Sequence, residues 1–337
     1  MINLKPILGA VVAAALVAGF NSDASAQNYN LTLTGASPGG LWSRIGGGID
    51  AAVAKAFPGS TVTYQTSSGG LANIPLVANG KVPLGMASDG EISAAISGQP
   101  PYKGPVKNIR ALFRAYTAQA RFQLTHVIIN KSYADKHGVK SFADIVAKKL
   151  PVRVAINRKG NMDSTVGAAL LSELGASPDN IKSWGGQVVN AASKEMVSLM
   201  LDRRIDMYVL GISYNHPRIR ETAKGIEAVL LPIPENTAKK VVDKLGGEIC
   251  QVKPGEYKWT PNGTSSICVG VLVIANPDLD EKTAYNITKA MYEQIETFKE
   301  KSHRLIKKTA SPDSMSTKGP IPFHPGAEKY LKEIGKL

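Results

Sequence analysis

Leu31-Thr32-Leu33-Thr34-Gly35-Ala36-Ser37-Pro38-Gly39-Gly40-Leu41-Trp42 decides how the rest of the chain is read. Leu31 to Thr34 alternates apolar and polar residues, the period of a half-buried strand. Gly35 to Gly40 breaks it, and residues 41–57 return to helical spacing. The unit then repeats: residues 61–65 form a strand, Thr66-Ser67-Ser68-Gly69-Gly70 a turn, and residues 71–78 a helix ended by Asn79-Gly80. Residues 82–86 read as a third strand, and Ser88-Asp89-Gly90-Glu91 as a capping box that opens a third helix. Strand-turn-helix units aim the free N–H groups of helix starts at one crevice, where a small anion can be held without a cationic side chain. The same turns also suit ordinary connections. No G-x-G-x-x-G follows the first strand, and Gly80-Lys81 lacks a following Ser or Thr and a preceding strand, which argues against nucleotide chemistry.

Residues 1–26 read as a secretory signal: Lys5 gives the positive start, residues 6–20 the apolar run, and Ala24-Ser25-Ala26 the cleavage site. The run falls short of the roughly 20 residues that span a bilayer, so an exported, periplasmic protein cut near Ala26 is expected. The formal net charge is +13, and removing one Lys and one Asp with the signal leaves it unchanged. The basic residues are scattered and lack interleaved aromatics, which argues against nucleic acid. They make a solvated surface that can draw anions in by long-range field. Cys250 and Cys268 are the two cysteines. Export makes a disulfide the default, closing a loop of about 19 residues for roughly 3 kcal/mol. Two cysteines without a nearby histidine make no metal site, and no cofactor is called for.

Beyond a surface loop at 99–105, residues 109–116 and 124–130 read as strands. Ser141 to Asp144 caps a helix, residues 152–156 form a strand, and Asn157 to Asp163 leads into a helix starting near Ser164. Residues 195–201 follow as a helix and 206–210 as a strand ending in Gly211. Residues 267–274 read as one long apolar strand. Ala284, Ile287, Met291, Ile295 and Phe298 mark one face of a single long helix over 279–308. Alternating strands and helices predict an α/β fold with open sheets, whose sites lie beyond the carboxyl ends of strands. Two such halves joined by extended segments would close on a ligand by hinge motion.

Four segments in order carry a resemblance over nearly the whole mature chain. Thr34 to Trp42, Ser67 to Asn73, Asn79 to Asp89, and Pro322 to Tyr330 resemble the corresponding motifs of the TAXI-type receptors of tripartite ATP-independent periplasmic (TRAP) transporters. The resemblance implies a two-lobed type II periplasmic binding protein, a monomer without enzymatic activity. It also implies a partner: permease subunits driven by an ion gradient. The ligand implied is a small organic anion, such as an acidic amino acid or an oxo-dicarboxylate. Lobe one would comprise residues 27–120 plus 270–337 and lobe two 121–269, with 124–129 and 268–274 as hinge strands. Where relatives commonly have a Gly-Ser-Gly-Thr turn, this chain has Gly160 to Thr165.

On this basis the expected ligand contacts are Ser37, Gly39, Gly40 and Leu41 at the first helix start, and Ser68, Gly70 and Asn73 at the second. Asp89 would cap or receive a ligand amine, Arg158 would pair with a carboxylate, and Ser164 and Thr165 would donate from lobe two. Gly211, Ser213 and Tyr257 would line the cleft, with Tyr257 equally suited to packing. Asn73 suits a structural cap, Trp42 the core, and Gly46 to Gly48 close helix packing. Two other functions remain open: a secreted hydrolase using Ser37, which would need a base and an orienting acid, and a ligand-sensing partner of a membrane receptor.

Overall fold

The computed structural model describes residues 28–260 and 263–337. The expected secretory signal lies outside the described residues. The strands are β1 (Asn30–Thr34), β2 (Thr61–Gln65), β3 (Leu84–Ser88), β4 (Arg110–Tyr116), β5 (Leu124–Asn130), β6 (Arg153–Ile156), β7 (Gln187–Asn190), β8 (Met207–Ile212), β9 (Ala228–Leu230), β10 (Glu248–Val252), β11 (Thr264–Cys268) and β12 (Val271–Ala275). The helices are α1 (Leu41–Ala56), α2 (Gly70–Ala78), α3 (Asp89–Ile96), α4 (Lys131–His137), α5 (Phe142–Ala147), α6 (Met162–Glu173), α7 (Pro178–Ser183), α8 (Ser193–Leu201), α9 (Pro217–Gly225), α10 (Glu235–Leu245), α11 (Glu281–Glu293), α12 (Ile295–Lys301), α13 (Ile306–Thr309), α14 (Pro312–Met315) and α15 (Pro325–Glu333).

Two mixed sheets organise two lobes. The first runs β2-β1-β3-β12-β4, and the second runs β10-β11-β5-β8-β6-β7 with β9 paired to β5. β1, β2 and β3 are parallel, as strand-helix-strand units require, whereas β12 is antiparallel to both of its neighbours. Each strand of the β3-β12 pair is buried along its whole length, which explains the uninterrupted apolar run Val271 to Ala275. Tyr64 lies against Gly35 and Gly46, and its hydroxyl accepts from Ala36 N–H at 2.6 Å. It thereby fixes the first turn on β1. Trp42 is in the core, with its indole N–H on the Tyr116 hydroxyl at 2.9 Å.

The structure corrects two sequence expectations. Residues 267–274 are not one strand. β11 belongs to the second sheet and β12 to the first, and the chain crosses between lobes at Val269-Gly270. The other crossing is 117–123, between β4 and β5. A Cβ at Gly270 would strike the Arg114 guanidinium and the Asp89 carboxylate. Gly270 O accepts from Asp89 N–H at 3.1 Å, and Arg114 grips Asp89 bidentately at 2.8 and 3.1 Å. Arg114 also donates to Thr317 O and Lys318 O. A buried ion pair therefore sits on the crossing point, where periodicity has nothing to register. Nor is 279–308 one helix. It breaks at Gln294 (φ −103°, ψ 29°) and again after Lys301. A Cβ at Gly48 of α1 would meet Ser302 and Phe298 O, so the break lets α12 lie flush on α1.

Cys250 and Cys268 are disulfide-bonded, with Cα atoms 5.9 Å apart, on the paired strands β10 and β11. The half-cystines are buried among Tyr257, Leu210 and Met196. Replacing both by serine is expected to cost about 3 kcal/mol from the lost chain constraint. An unchanged urea midpoint would rule out that contribution.

Candidate functional site

Three helix starts lie near where the lobes meet, and they differ in the acceptors offered to their N–H groups. Every helix leaves its first N–H groups without intrahelical partners. The 16-residue α1 starts at Gly40, which offers no side-chain cap, and no acidic residue lies in its first turn. Gly39 N–H turns aside to Ser43 Oγ at 3.0 Å. Ser37, Gly39 and Gly40 are exposed and Leu41 is half-buried. Arg158, from lobe two, donates to Ser37 Oγ at 3.3 Å across the boundary. A helix start, a hydroxyl and a guanidinium thus share one opening.

At α2 the acceptor is built in. The Glu91 carboxylate is buried against the Gly69-Gly70 turn, and a Cβ at Gly70 would fall on Glu91 Oε2. Glu91 Oε2 accepts from Ser88 N–H and Ser88 Oγ, both at 2.8 Å. The backbone N–H groups of Leu71 in α2 and Met162 in α6 also favour its charged form. Burial nevertheless dominates and pushes the Glu91 carboxyl above its ordinary value. Gly70 is therefore small to admit this carboxylate. Ser68 is exposed beside it.

Asn73 holds the turns together. Its Nδ2 donates to Gly35 O at 2.7 Å and Met86 O at 2.8 Å, while Oδ1 accepts from Thr34 Oγ1 at 2.9 Å and Ser67 Oγ at 2.6 Å. Its full hydrogen-bonding capacity is spent inside the fold, so the part it plays is structural. Asp89 is likewise committed, to Arg114.

At α6 the cap is Asn161, whose side chain accepts from Ser164 N–H at 3.0 Å. The helix thus begins two residues before the expected Ser164 start. Ser164 is buried and Thr165 half-buried, with Thr165 Oγ1 directed at Asn161 O. Asn161 Cβ lies close to Gly69, so the turns of α2 and α6 face one another across the lobes. Gly90 likewise abuts Met162 and Leu245 O.

Gly211 N–H donates to Asp163 Oδ1 at 2.5 Å, and Asn157 Nδ2 donates to Asp163 Oδ2 at 2.7 Å. Asp163 borders a pocket of about 10 Å³ with Gln123, Thr125, Met162, Val166 and Gly211, room for a single water. Ser213 is buried, its carbonyl receiving His216 N–H. Tyr257 belongs to packing: it is buried beside Tyr214 and Trp259, and its hydroxyl meets His126 Nε2 at 2.8 Å and Asn215 N–H at 3.0 Å. Burial holds His126 neutral, down to about 4.

Ser37 and Arg158 thus meet across the lobe boundary, with Gly39, Gly40 and Leu41 at the same helix start and Ser68 beside the approach of Gly69 to Asn161, whereas Asn73, Asp89, Ser164, Thr165 and Tyr257 are engaged within their own lobes. Sequence inspection missed Glu91 as a partner of the second turn, Arg114, and Asp163. Only the acidic residue at the third position of a capping box signalled the first of these.

Burial raises the Asp163 carboxyl to about 6. The folded state therefore binds this proton more tightly than the unfolded chain, so stability is greatest below the ordinary carboxylate range and falls as pH rises through about 6. Asp163→Asn is expected to remove roughly 2–3 kcal/mol of that fall, read from urea midpoints at pH 4 and pH 7. Identical slopes in both proteins would contradict it.

Comparison with solved structures returns two-lobed binding proteins. The fold is similar to MatC from Rhodopseudomonas palustris with bound malate, at 13% identity, TM-score 0.53, and coverage of 91% of this chain and 97% of that one. It is similar to PhnD1 from Prochlorococcus marinus with methylphosphonate, at 11% identity, TM-score 0.52, and coverage of 91% and 99%. The periplasmic binding protein BugD gives 11% identity, TM-score 0.51, and coverage of 91% and 94%. These likenesses establish the two-lobed α/β architecture. At the level of sequence, residues 33–335 match the NMT1-like family, and the chain belongs to that family.

Proposed function

We propose that this chain is a periplasmic solute receptor that closes its two lobes on a small organic anion, a carboxylate above all. The observation that carries the proposal is the uncapped start of α1, with no acidic residue in its first turn, facing Arg158 of the opposite lobe through Ser37. Unsatisfied helix N–H groups and a guanidinium are complementary to a carboxylate. Glu91 takes up the α2 start and shares the α6 start with Asn161, which concentrates the anion at α1. MatC with malate and PhnD1 with methylphosphonate are folds of this type that hold anions.

Lobe one is residues 27–120 plus 270–337 and lobe two is 121–269. Delivery is to a TRAP permease driven by an ion gradient, following the TAXI-type resemblance of the turns. The protein works as an exported monomer after cleavage near Ala26. Among the described residues, no helix is long and apolar enough to cross a membrane. A hydrolase using Ser37 has no support: the hydroxyl faces a guanidinium, which cannot accept its proton.

The ligand is to be identified by mass spectrometry of the natively purified protein and then titrated by calorimetry. Arg158→Gln is expected to weaken binding by about 2 kcal/mol, and Ser37→Ala or Ser68→Ala by about 1 kcal/mol each, with unfolding midpoints unchanged. Wild-type affinity in all three variants would overturn this placement. Ligand is also expected to reduce the radius of gyration in solution scattering, and superimposable profiles would contradict lobe closure.

A further inference from the structure

The turn before α6 carries two opposite charges that do not pair with each other, and the carboxylate site uses only one of them. Asn157 stands between them: its Oδ1 accepts from Arg158 N–H at 2.8 Å, and its Nδ2 donates to Asp163 Oδ2 at 2.7 Å. The Arg158 guanidinium turns to Ser37 Oγ of lobe one, at 3.3 Å. Asp163 Oδ1 is held by Gly211 N–H, and a Cβ at Gly211 would fall 2.2 Å from that oxygen. Among the described residues, no ion pair includes Arg158 or Asp163.

Asp163 is half-buried and lines the pocket of about 10 Å³. Two other lining residues touch lobe one. Met162 is abutted by Gly90 of α3, whose Cβ would fall 2.2 Å from Met162 Cε. Gln123 accepts at Oε1 from the Tyr116 hydroxyl at 2.9 Å, and that hydroxyl receives the Trp42 indole N–H of the first α1 turn, also at 2.9 Å. The pocket therefore lies at the lobe boundary, tied by two hydrogen bonds to the helix start that faces Arg158. No cationic side chain lines it. A carboxylate has about four acceptor positions, and neutral donors, the Gly211 N–H and the Asn157 amide, fill two of them. A charge shielded from water without a counter-charge is unfavourable, and a small cationic donor in the pocket would supply that counter-charge.

We propose that the Asp163 pocket receives an ammonium group of the ligand, so that the guest is a zwitterion whose carboxylate lies between the α1 start and Arg158. The pocket has room for one water-sized group, and an ammonium is of that size. It donates to the open acceptor positions of Asp163 and offsets the carboxylate charge in surroundings of low dielectric. A methylene in its place makes no hydrogen bond and displaces the water that could. An oxo oxygen presents lone pairs to lone pairs. Asn157 keeps the guanidinium-bearing residue and the carboxylate one side chain apart, so that both ends of one small molecule can be met. The amine-receiving part expected of Asp89 thus falls to Asp163, since Asp89 is committed to Arg114. The proposal rests on the receptor function above and names its class of solute: amino acids, with oxo acids disfavoured.

The test uses the mature full-length protein at neutral pH. The standard L-amino acids are screened by thermal shift, and each that binds is titrated by calorimetry beside the carboxylic acid that has hydrogen in place of its ammonium. An amino acid is expected to bind, and its counterpart to bind at least about tenfold more weakly. Asp163→Asn is expected to weaken the amino acid about tenfold and to leave the counterpart unchanged, erasing the preference. Asp243→Asn, which removes a carboxylate from exposed α10, is expected to bind as wild type does. Equal affinities within the matched pairs, read in the wild type without any variant, would end this proposal; if Arg158→Gln still weakened both members, the receptor function would stand. A preference kept in Asp163→Asn would place the ammonium elsewhere and overturn the assignment. Absence of binding by every amino acid would overturn it as well, and the receptor function would then be decided separately by the solute found in native mass spectrometry.

Discussion

The N–H groups at a helix start have to find an acceptor, and the arrangement of this molecule follows from how three neighbouring helices meet that demand. At α6 the local side chain Asn161 takes Ser164 N–H, while Glu91 faces Met162 N–H. At α2 the acceptor is Glu91, which arrives from the start of α3 and needs the Cβ-free position at Gly70 to fit. At α1 the chain supplies none. Because the other two are internally closed, their electrostatic bias toward anions is spent on the fold. Only α1 keeps that bias available at the lobe boundary.

Much of this was legible from residue order. The repeated strand and Ser/Gly turn located α1 and α2, and Ser88-Asp89-Gly90-Glu91 named its own capping box, present in the structure with both reciprocal bonds. What could not be read was the destination of each polar group. Glu91 serves its own helix cap by spacing, a local relation, but its contact with Gly70 depends on how α2 and α3 pack. The turn glycines looked like openings for a ligand because only tertiary structure shows a carboxylate already resting there. Asn73 likewise carries four bonds to residues between 6 and 39 positions away.

The run 267–274 shows a different limit. Hydrophobic periodicity reports burial, not which core does the burying. β11 and β12 are both buried along their length, so the passage from one sheet to the other leaves no mark in apolar content. The mark is Gly270, where the Asp89–Arg114 pair presses on the backbone. Removing a charged pair from water is costly unless its remaining hydrogen bonds are met. Arg114 meets them on Thr317 O and Lys318 O, so the pair ties the crossing to the C-terminal segment of the first lobe. The crossing at Val269-Gly270 is thereby fixed to the first lobe.

Charge is distributed unevenly around the boundary. Toward α3 and α6 lie two carboxyls whose pKa values burial raises, Glu91 and Asp163. Toward α1 and α9 lie Arg44, Arg158, Arg218, Arg220 and Arg304, none with a carboxylate partner among the described residues. Under the proposed reading, an anion at the α1 start would meet free helix N–H groups from one lobe and the Arg158 guanidinium from the other, so both lobes would attract the same guest.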